Sequence, residues 1–491
     1  MFRGSFKIKR IYFLILLLGL IFSSCHNNST EPKGGSRPPL IFIEGIGNIV
    51  VSPLRDGLSL IAIRANRFKY SSYPPIPPIE SAELINYRVE SSQLWVEKSQ
   101  PLYPSALTDG FEFFDSLEIY PVDGTTNSFL LGARFITGET VSHETFFLNE
   151  NGKFKQVKGG ITNIIFKISS GYYFSIVSNL YWAPLVRYAF FGEDEKNYNL
   201  RISPDRLPGF FEAYPYTSAY HPRIFLKNRD IDLSRLFIVE GGEIIGDTNL
   251  IYFQGCDAFD LDLLRSFPSR AEDISSYLFI GNVKVNGYSM DVTDVRYIRF
   301  NDPATFVTIM GVEYLRNKGL VVYAREFPKD ITTQQEITKI KDKLMILDPE
   351  NLKIISEKEI LWSEVNSSEA NFNFPLLVEY DENPPKLIAF DKRNQRIVSV
   401  MGSRVLIIDL GSFRVETLEL PSPWICDISG TGVWVDATGH IWVIARDVNS
   451  GKVDKKRFKP GVILFAKLRF GVLSINIEEG KYSVRVVEEL K

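Results

Sequence analysis

The sequence predicts an all-β protein, and within that class a β-propeller of seven or eight blades, on three observations. Short runs rich in Val, Ile, Phe and Tyr, bounded by Gly, Asn, Asp and Pro, succeed one another from Leu40 to the C-terminus. One hairpin form recurs among them, an aliphatic strand, a polar turn and a strand that often opens on a basic residue. It is seen at 146–157 (FFLNENGKFKQV), 344–355 (LMILDPENLKII), 387–400 (LIAFDKRNQRIVSV) and 433–444 (VWVDATGHIWVI). The turn openers Asn149, Asp194, Glu240, Asn286, Asp348, Asp391, Asp436 and Glu479 are spaced by 45, 46, 46, 62, 43, 45 and 43 residues. A period near 45 residues, with about four short strands in each, is the mark of a propeller blade. Tandem β-sandwich domains compete, because any all-β chain turns every ~8–12 residues.

The N-terminus is read separately. Arg3, Lys7, Lys9 and Arg10 form a positive region, and residues 11–22 follow as an apolar run that ends in Phe22-Ser23-Ser24-Cys25. The run suits a signal-peptide core and is short for a membrane span. Its end resembles a bacterial lipobox, in which small residues precede a cysteine that takes the lipid, although Phe22 stands where Leu is usual. The resemblance implies a signal peptide over 1–24 and lipidation at Cys25. An ordinary secretory signal or a short N-terminal anchor is the plainer alternative. Residues 25–39 continue as a polar Gly/Pro/Ser stretch, expected to act as a tether reaching roughly 20 Å as a flexible coil. The expected location is the cell envelope, outside the cytoplasm and held to the membrane by lipid.

Residues 40–491 are assigned to the propeller, with helical insertions near 257–277 and 327–343. The second insertion accounts for the long interval of 62, and Thr333-Gln334-Gln335-Glu336 reads as a capping box. Asp56-Gly57 marks a hairpin between 49–55 and 58–64. The run 74–78 (PPIPP) is expected to be extended and unpaired. Residues before Phe129 fit the period poorly, and they are expected to form an irregular first blade closing the ring with strands near 482–487. Residues 432–443 (GVWVDATGHIWV) resemble the strand, D-x-x-G, strand core of NHL-type and sensor-type bacterial propellers. Residues 405–418 (VLIIDLGSFRVETL) are similar to a YVTN-type repeat. That resemblance covers the last 150 residues or so and implies a fold with no particular activity, Trp434 and Trp442 packing between sheets.

Composition sets the outer limits. Of 491 residues, 45% are hydrophobic and 23% charged, which excludes a disordered tail, a collagen-like fibre and a multi-span membrane protein. Without its leader the chain carries 52 basic against 59 acidic residues, a balance of −7 that gives no reason to expect nucleic acid as a partner. Catalytic signatures are absent from the sequence: it has no G-x-S-x-G, P-loop, C-x-x-C or H-E-x-x-H, and Gly45-Ile46-Gly47 lacks a third glycine. No catalytic residue, cofactor or metal site is therefore assigned. His143, His221 and His440 are scattered, and His440 reads as a solvated turn residue. Asp257, Asp260 and Asp262, or Asp230 and Asp232, could share a hard cation, but a helix N-terminus and a polar turn explain them more simply. Cys256 and Cys426 are read as buried thiols on strands, with a disulfide between them open.

The densest aromatic cluster, Phe210, Phe211, Tyr214, Tyr216 and Tyr220, carries two prolines and reads as a loop. It is the candidate surface for an envelope protein or a glycan, or else a lid over one end of the ring. The function expected is that of a lipid-anchored binding or scaffold protein. The alternative is an extracytoplasmic glycoside hydrolase or lyase that uses paired carboxylates.

Overall fold

A computed structural model of the chain describes residues 44–67, 79–91, 93–107, 113–121, 129–137, 140–148, 154–157, 164–169, 172–177, 187–192, 197–202, 212–213, 224–228, 231–244, 250–256, 276–286, 289–300, 305–328, 341–361, 386–426, 430–450, 469–478 and 481–490. They are all-β, arranged in several antiparallel sheets, with a single four-residue helix, α1 (Pro104–Leu107), among the described residues. No helix among them is long and apolar enough to cross a membrane.

The strands follow one another as antiparallel meanders. The first is β1 (Glu44–Pro53), β2 (Leu58–Arg67), β3 (Ile79–Glu90) and β4 (Gln93–Leu102). The second is β5 (Phe113–Pro121), β6 (Phe129–Thr137), β7 (Thr140–Leu148) and β8 (Phe154–Val157). The third is β9 (Ile164–Ser169), β10 (Tyr172–Val177), β11 (Arg187–Gly192) and β12 (Asn197–Ile202). A short pair, β13 (Glu212–Ala213) and β14 (Ile224–Asn228), leads into the fourth, β15 (Ile231–Ile244), β16 (Leu250–Cys256), β17 (Ser276–Asn286) and β18 (Ser289–Phe300). The fifth is β19 (Thr305–Leu315), β20 (Gly319–Pro328), β21 (Lys341–Leu347) and β22 (Ile354–Leu361). The sixth is β23 (Ile388–Asp391), β24 (Arg396–Met401), β25 (Arg404–Asp409) and β26 (Val415–Glu419). After β27 (Trp424–Ile425), the seventh is β28 (Gly432–Val435), β29 (Ile441–Asp447), β30 (Phe470–Glu478) and β31 (Lys481–Leu490). One residue pair, Ile79↔Phe114, joins the first two meanders into an eight-stranded sheet. A short parallel pairing of β12 with β18 joins the third and fourth into a ten-stranded one.

Side-chain alternation along a strand sends successive residues to opposite faces, and here the two faces enter different cores. On β20, Val321 and Tyr323 pack with the sixth and seventh meanders, while Leu320, Val322 and Ala324 pack with Tyr252, Leu278 and Ile280 of the fourth. On β21, Leu344 and Ile346 take the first side and Met345 and Leu347 the second. On β2, Ile61 and Ile63 pack with Phe114, Leu117 and Leu131 of the second meander, while Leu58, Leu60 and Ala62 pack with Trp434, Trp442 and Phe470 of the seventh. On β29, Ile441, Val443 and Ala445 again face the sixth, and Trp442 and Ile444 the first. Trp434 and Trp442 are thus buried between sheets, as the sequence predicts.

Several hydrogen bonds tie neighbouring meanders edge to edge. A parallel bridge pairs Lys386 with Gly432, where Lys386 N donates to Thr431 O at 3.1 Å and Val433 N to Lys386 O at 2.8 Å. Gly432 has φ +155°, and a Cβ there would lie 2.5 Å from the Lys386 carbonyl oxygen, so the close approach needs glycine. Ala437 N donates to Leu54 O at 3.2 Å, linking turns of the seventh and first meanders.

The predicted hairpins form at 146–157, 344–355, 387–400 and 433–444, and so does the Asp56-Gly57 hairpin. Four expectations need correction. Glu240 does not open a turn but lies inside β15, where the pairing shifts at Ile238/Glu240. A bulge takes polar residues much as a turn does. Among the described openers, Asp391 and Asp436 fall between first and second strands and Asp348 between third and fourth. The meanders therefore begin at 44, 113, 164, 231, 305, 388 and 432, with no uniform 45-residue period. β1 to β4 pair as a meander, with register shifts at Ile46/Asn48, Asn66/Arg67 and Asn86/Tyr87, and β31 pairs with β30, not with β1; the first and last meanders meet through side chains and the Ala437 N to Leu54 O hydrogen bond. The ends of both predicted helical insertions are strand: Ser276 and Tyr277 belong to β17, Phe327 and Pro328 to β20, and Lys341 to Lys343 to β21. Residues 257–275 and 329–340, and the 74–78 run, lie outside the described residues.

Candidate functional site

Aspartates at strand ends organise the turns. Asp348 Oδ1 accepts Glu350 N at 2.7 Å, Asp391 Oδ1 accepts Asn394 N at 3.0 Å, and Asp447 Oδ1 accepts Asn449 N at 2.8 Å. Asp409 Oδ1 accepts the Ser412 hydroxyl at 2.7 Å, its N–H at 2.6 Å and Gly411 N at 3.0 Å. These contacts, Ser412 first, hold the Asp409 carboxyl below its usual value. Asp436 Oδ1 accepts Thr438 N at 2.9 Å, the Thr438 hydroxyl at 2.6 Å and His440 N at 3.0 Å, while Oδ2 accepts Trp442 Nε1 at 2.9 Å. A short acceptor at the start of the turn replaces the backbone acceptors the strands leave behind, which is why the chain spends Asp there.

Two of these turns dock on each other, and Arg396 of β24 is the clamp. Its Nε donates to Asp391 Oδ2 at 2.6 Å, Nη2 to Gly439 O at 2.7 Å and Nη1 to Tyr482 Oη at 3.1 Å. The guanidinium also lies 5.9 Å from the centre of the Tyr482 ring. A buried charge is tolerated because all three nitrogens have acceptors drawn from three segments. Gly439, at φ +85°, cannot be replaced without strain, since a Cβ would lie 2.3 Å from Asn394 Nδ2.

Beside this clamp a polar cleft of about 170 Å³ opens, lined by Asn394, Arg396, Ile407, Asp409, Arg414, Glu416 and Tyr482. Arg414 pairs with Glu416 at 3.2 Å on the exposed rim. The cleft is the candidate site. Its residues are spread over β24, β25, β26, β31 and two turns, so nothing in their sequence spacing announces them. Of these residues the sequence singles out only Tyr482, as the start of a closing strand, and beside the cleft Asp391, the partner of Arg396, as a turn opener.

His440 is half-buried and has partners. Its Nε2 lies 2.8 Å from Ser474 Oγ, and its ring sits edge-on to Trp442 at 4.6 Å. The pair looks like a nucleophile and its base, but Ser474 is 1% exposed and its hydroxyl also meets Asn476 Oδ1 at 3.2 Å. Both oxygens of the adjacent Asp436 are taken by turn groups and Trp442, so the carboxylate that would orient the imidazole is spent elsewhere. Burial, aided by Arg396 and opposed by Asp436, lowers the His440 pKa from 6.5. The folded chain then binds fewer protons than the unfolded chain just below that value. Stability is full above pH 6.5 and falls as pH drops through 6.5 towards the depressed value. Urea melts at about pH 7.5 and about pH 5.5 should differ more in the wild type than in His440→Gln.

Of the other residues singled out in the sequence, Cys25, Phe210, Phe211, Tyr214, Tyr216 and Tyr220 lie outside the described residues. The predicted aromatic loop does contain the two-residue strand β13, paired with β14. Asp257, Asp260, Asp262, Asp230 and His221 also lie outside. Cys426 is a buried thiol whose Sγ donates to Ile444 O at 3.4 Å. Among the described residues no group of three or more His, Cys, Asp or Glu is placed to hold a metal ion. No protein-family model matches the chain, and no curated protein matches it.

Proposed function

We propose that the chain is a lipid-anchored, seven-bladed propeller that binds an envelope protein or glycan outside the cytoplasm without catalysing a reaction. The observation that carries the architecture is the division of single strands between two cores. A sandwich sheet covers one face and leaves the other to solvent, whereas β2, β20, β21 and β29 bury both. Packing of the first meander on the last, through Leu58, Leu60, Trp434 and Trp442, is the contact a closed ring needs. Seven meanders then read as seven blades.

Binding in preference to catalysis is supported by the way strand-end acids are used. Asp348, Asp391, Asp409, Asp436 and Asp447 all accept turn donors. Asp409 is held low, the opposite of the raised carboxyl that a glycosidase acid requires. The anchor rests on Arg3 to Arg10, the apolar run and Ser23-Ser24-Cys25. Expressing the full chain with labelled palmitate should label the wild type and leave Cys25→Ser unlabelled and out of the detergent phase. A Cys25→Ser chain that is processed normally and stays with membranes would end the lipoprotein reading.

A further inference from the structure

We infer that the cleft between the β23–β26 and β28–β31 meanders holds one ring of a neutral sugar chain. The inference rests on the binding-protein reading and names its ligand. Charge is the first argument. Arg396 already faces Asp391 at 2.6 Å, Arg414 faces Glu416 at 3.2 Å, and Asp409 is held by its own turn. An anionic ligand such as phosphate needs a surplus of cations in its wall, and a cationic ligand needs a surplus of carboxylates. The two Arg and two acids lining this cleft favour neither sign.

Size and chemistry narrow the class. About 170 Å³ lies below the ~300–1,000 Å³ of sites that enclose drug-sized ligands. One small ring fits, with the rest of a longer molecule left in solvent. The wall brings together donors (the Arg414 guanidinium, and the Asn394 amide, which also donates to Asp391 Oδ2 at 2.8 Å) and acceptors (Asp409, Glu416), which suits hydroxyl groups that both donate and accept. Tyr482, half-buried, adds the apolar surface that the C–H face of a pyranose requires, with the buried Ile407 behind it.

Saturation-transfer NMR on the full chain, in a detergent without sugar, tests this with methyl β-D-glucopyranoside and N-acetylglucosamine, and with inorganic phosphate as competitor. Transfer to ring protons of at least one sugar is expected, undisturbed by phosphate. Glu416→Gln and Arg414→Gln should each weaken it about five-fold, the size of one lost hydrogen bond. Both are surface groups, so their melting should match the wild type. Tyr482→Ala should abolish transfer and Tyr482→Phe retain most of it. No transfer from either sugar, transfer indifferent to these variants, or displacement by phosphate would overturn the inference. Palmitate labelling at Cys25 is read on the same preparations. A labelled chain that binds no sugar loses only the glycan, and an unlabelled chain that binds it loses only the anchor.

Discussion

Deleting residues 387–491 is expected to unfold what remains. The deletion removes the sixth and seventh meanders and exposes two sheets at once. On one side Leu315, Val321, Tyr323, Leu344, Ile346 and Ile360 lose the core they share with the sixth meander. On the other, Ile49, Val51, Leu58, Leu60, Ala62, Ile85, Tyr87 and Val89 lose the core they share with the seventh. At about 1.5–3 kcal/mol for each large side chain, the loss exceeds the ~5–15 kcal/mol by which a domain is stable. Calorimetry of the truncated chain should give no cooperative transition, and the protein should aggregate through its uncovered faces. A shortened chain that melts as sharply as the parent would mean independent β domains, and the seven-bladed reading would fall with it.

That expectation depends on relations that only the folded chain displays. Hairpins were legible because their cause is local: at Asp348, Asp391 and Asp436 the side chain accepts a donor two to four residues further on. A polar residue between two aliphatic runs signals such a turn, yet Glu240 gives the same signal from inside β15, so the opener spacing could not be a true period. Continuous apolar runs such as 405–408, buried throughout, state that both faces are covered without naming the neighbours. His440 looked solvated because a D-x-x-G turn is usually exposed, and its contact with Ser474 comes from a strand 34 positions away. The cleft was hidden for the same reason. Its charges sit on separate strands, and Arg396, clamp of the whole corner, is one basic residue among many at hairpin starts.

The largest single-residue effect is expected at Asp342, whose partner across the β20–β21 ladder is Arg325. Arg325 is 2% exposed and Asp342 is wholly buried. The guanidinium grips the carboxylate with both arms, Nε to Oδ1 at 2.7 Å and Nη2 to Oδ2 at 3.0 Å, and the buried Tyr323 hydroxyl donates to Oδ2 at 2.6 Å. Burial, with the carboxylate's charge added, raises the Tyr323 pKa well above 10.0, so the phenol remains a donor throughout the neutral range. Asp342→Asn leaves the Arg325 charge in the core without its counter-charge, a change that costs about 3–5 kcal/mol. Tyr323→Phe removes one of three donors to a carboxylate still gripped by arginine and should cost nearer ~1 kcal/mol. Removing both charges together, as Arg325→Met with Asp342→Leu, should recover most of the loss, because the penalty lies in burying one charge without the other and much less in the missing pair. Urea melts of the three variants would show that order. If Asp342→Asn proves as mild as Tyr323→Phe, water reaches Arg325, and the fourth to sixth meanders are less tightly stacked than their shared cores require.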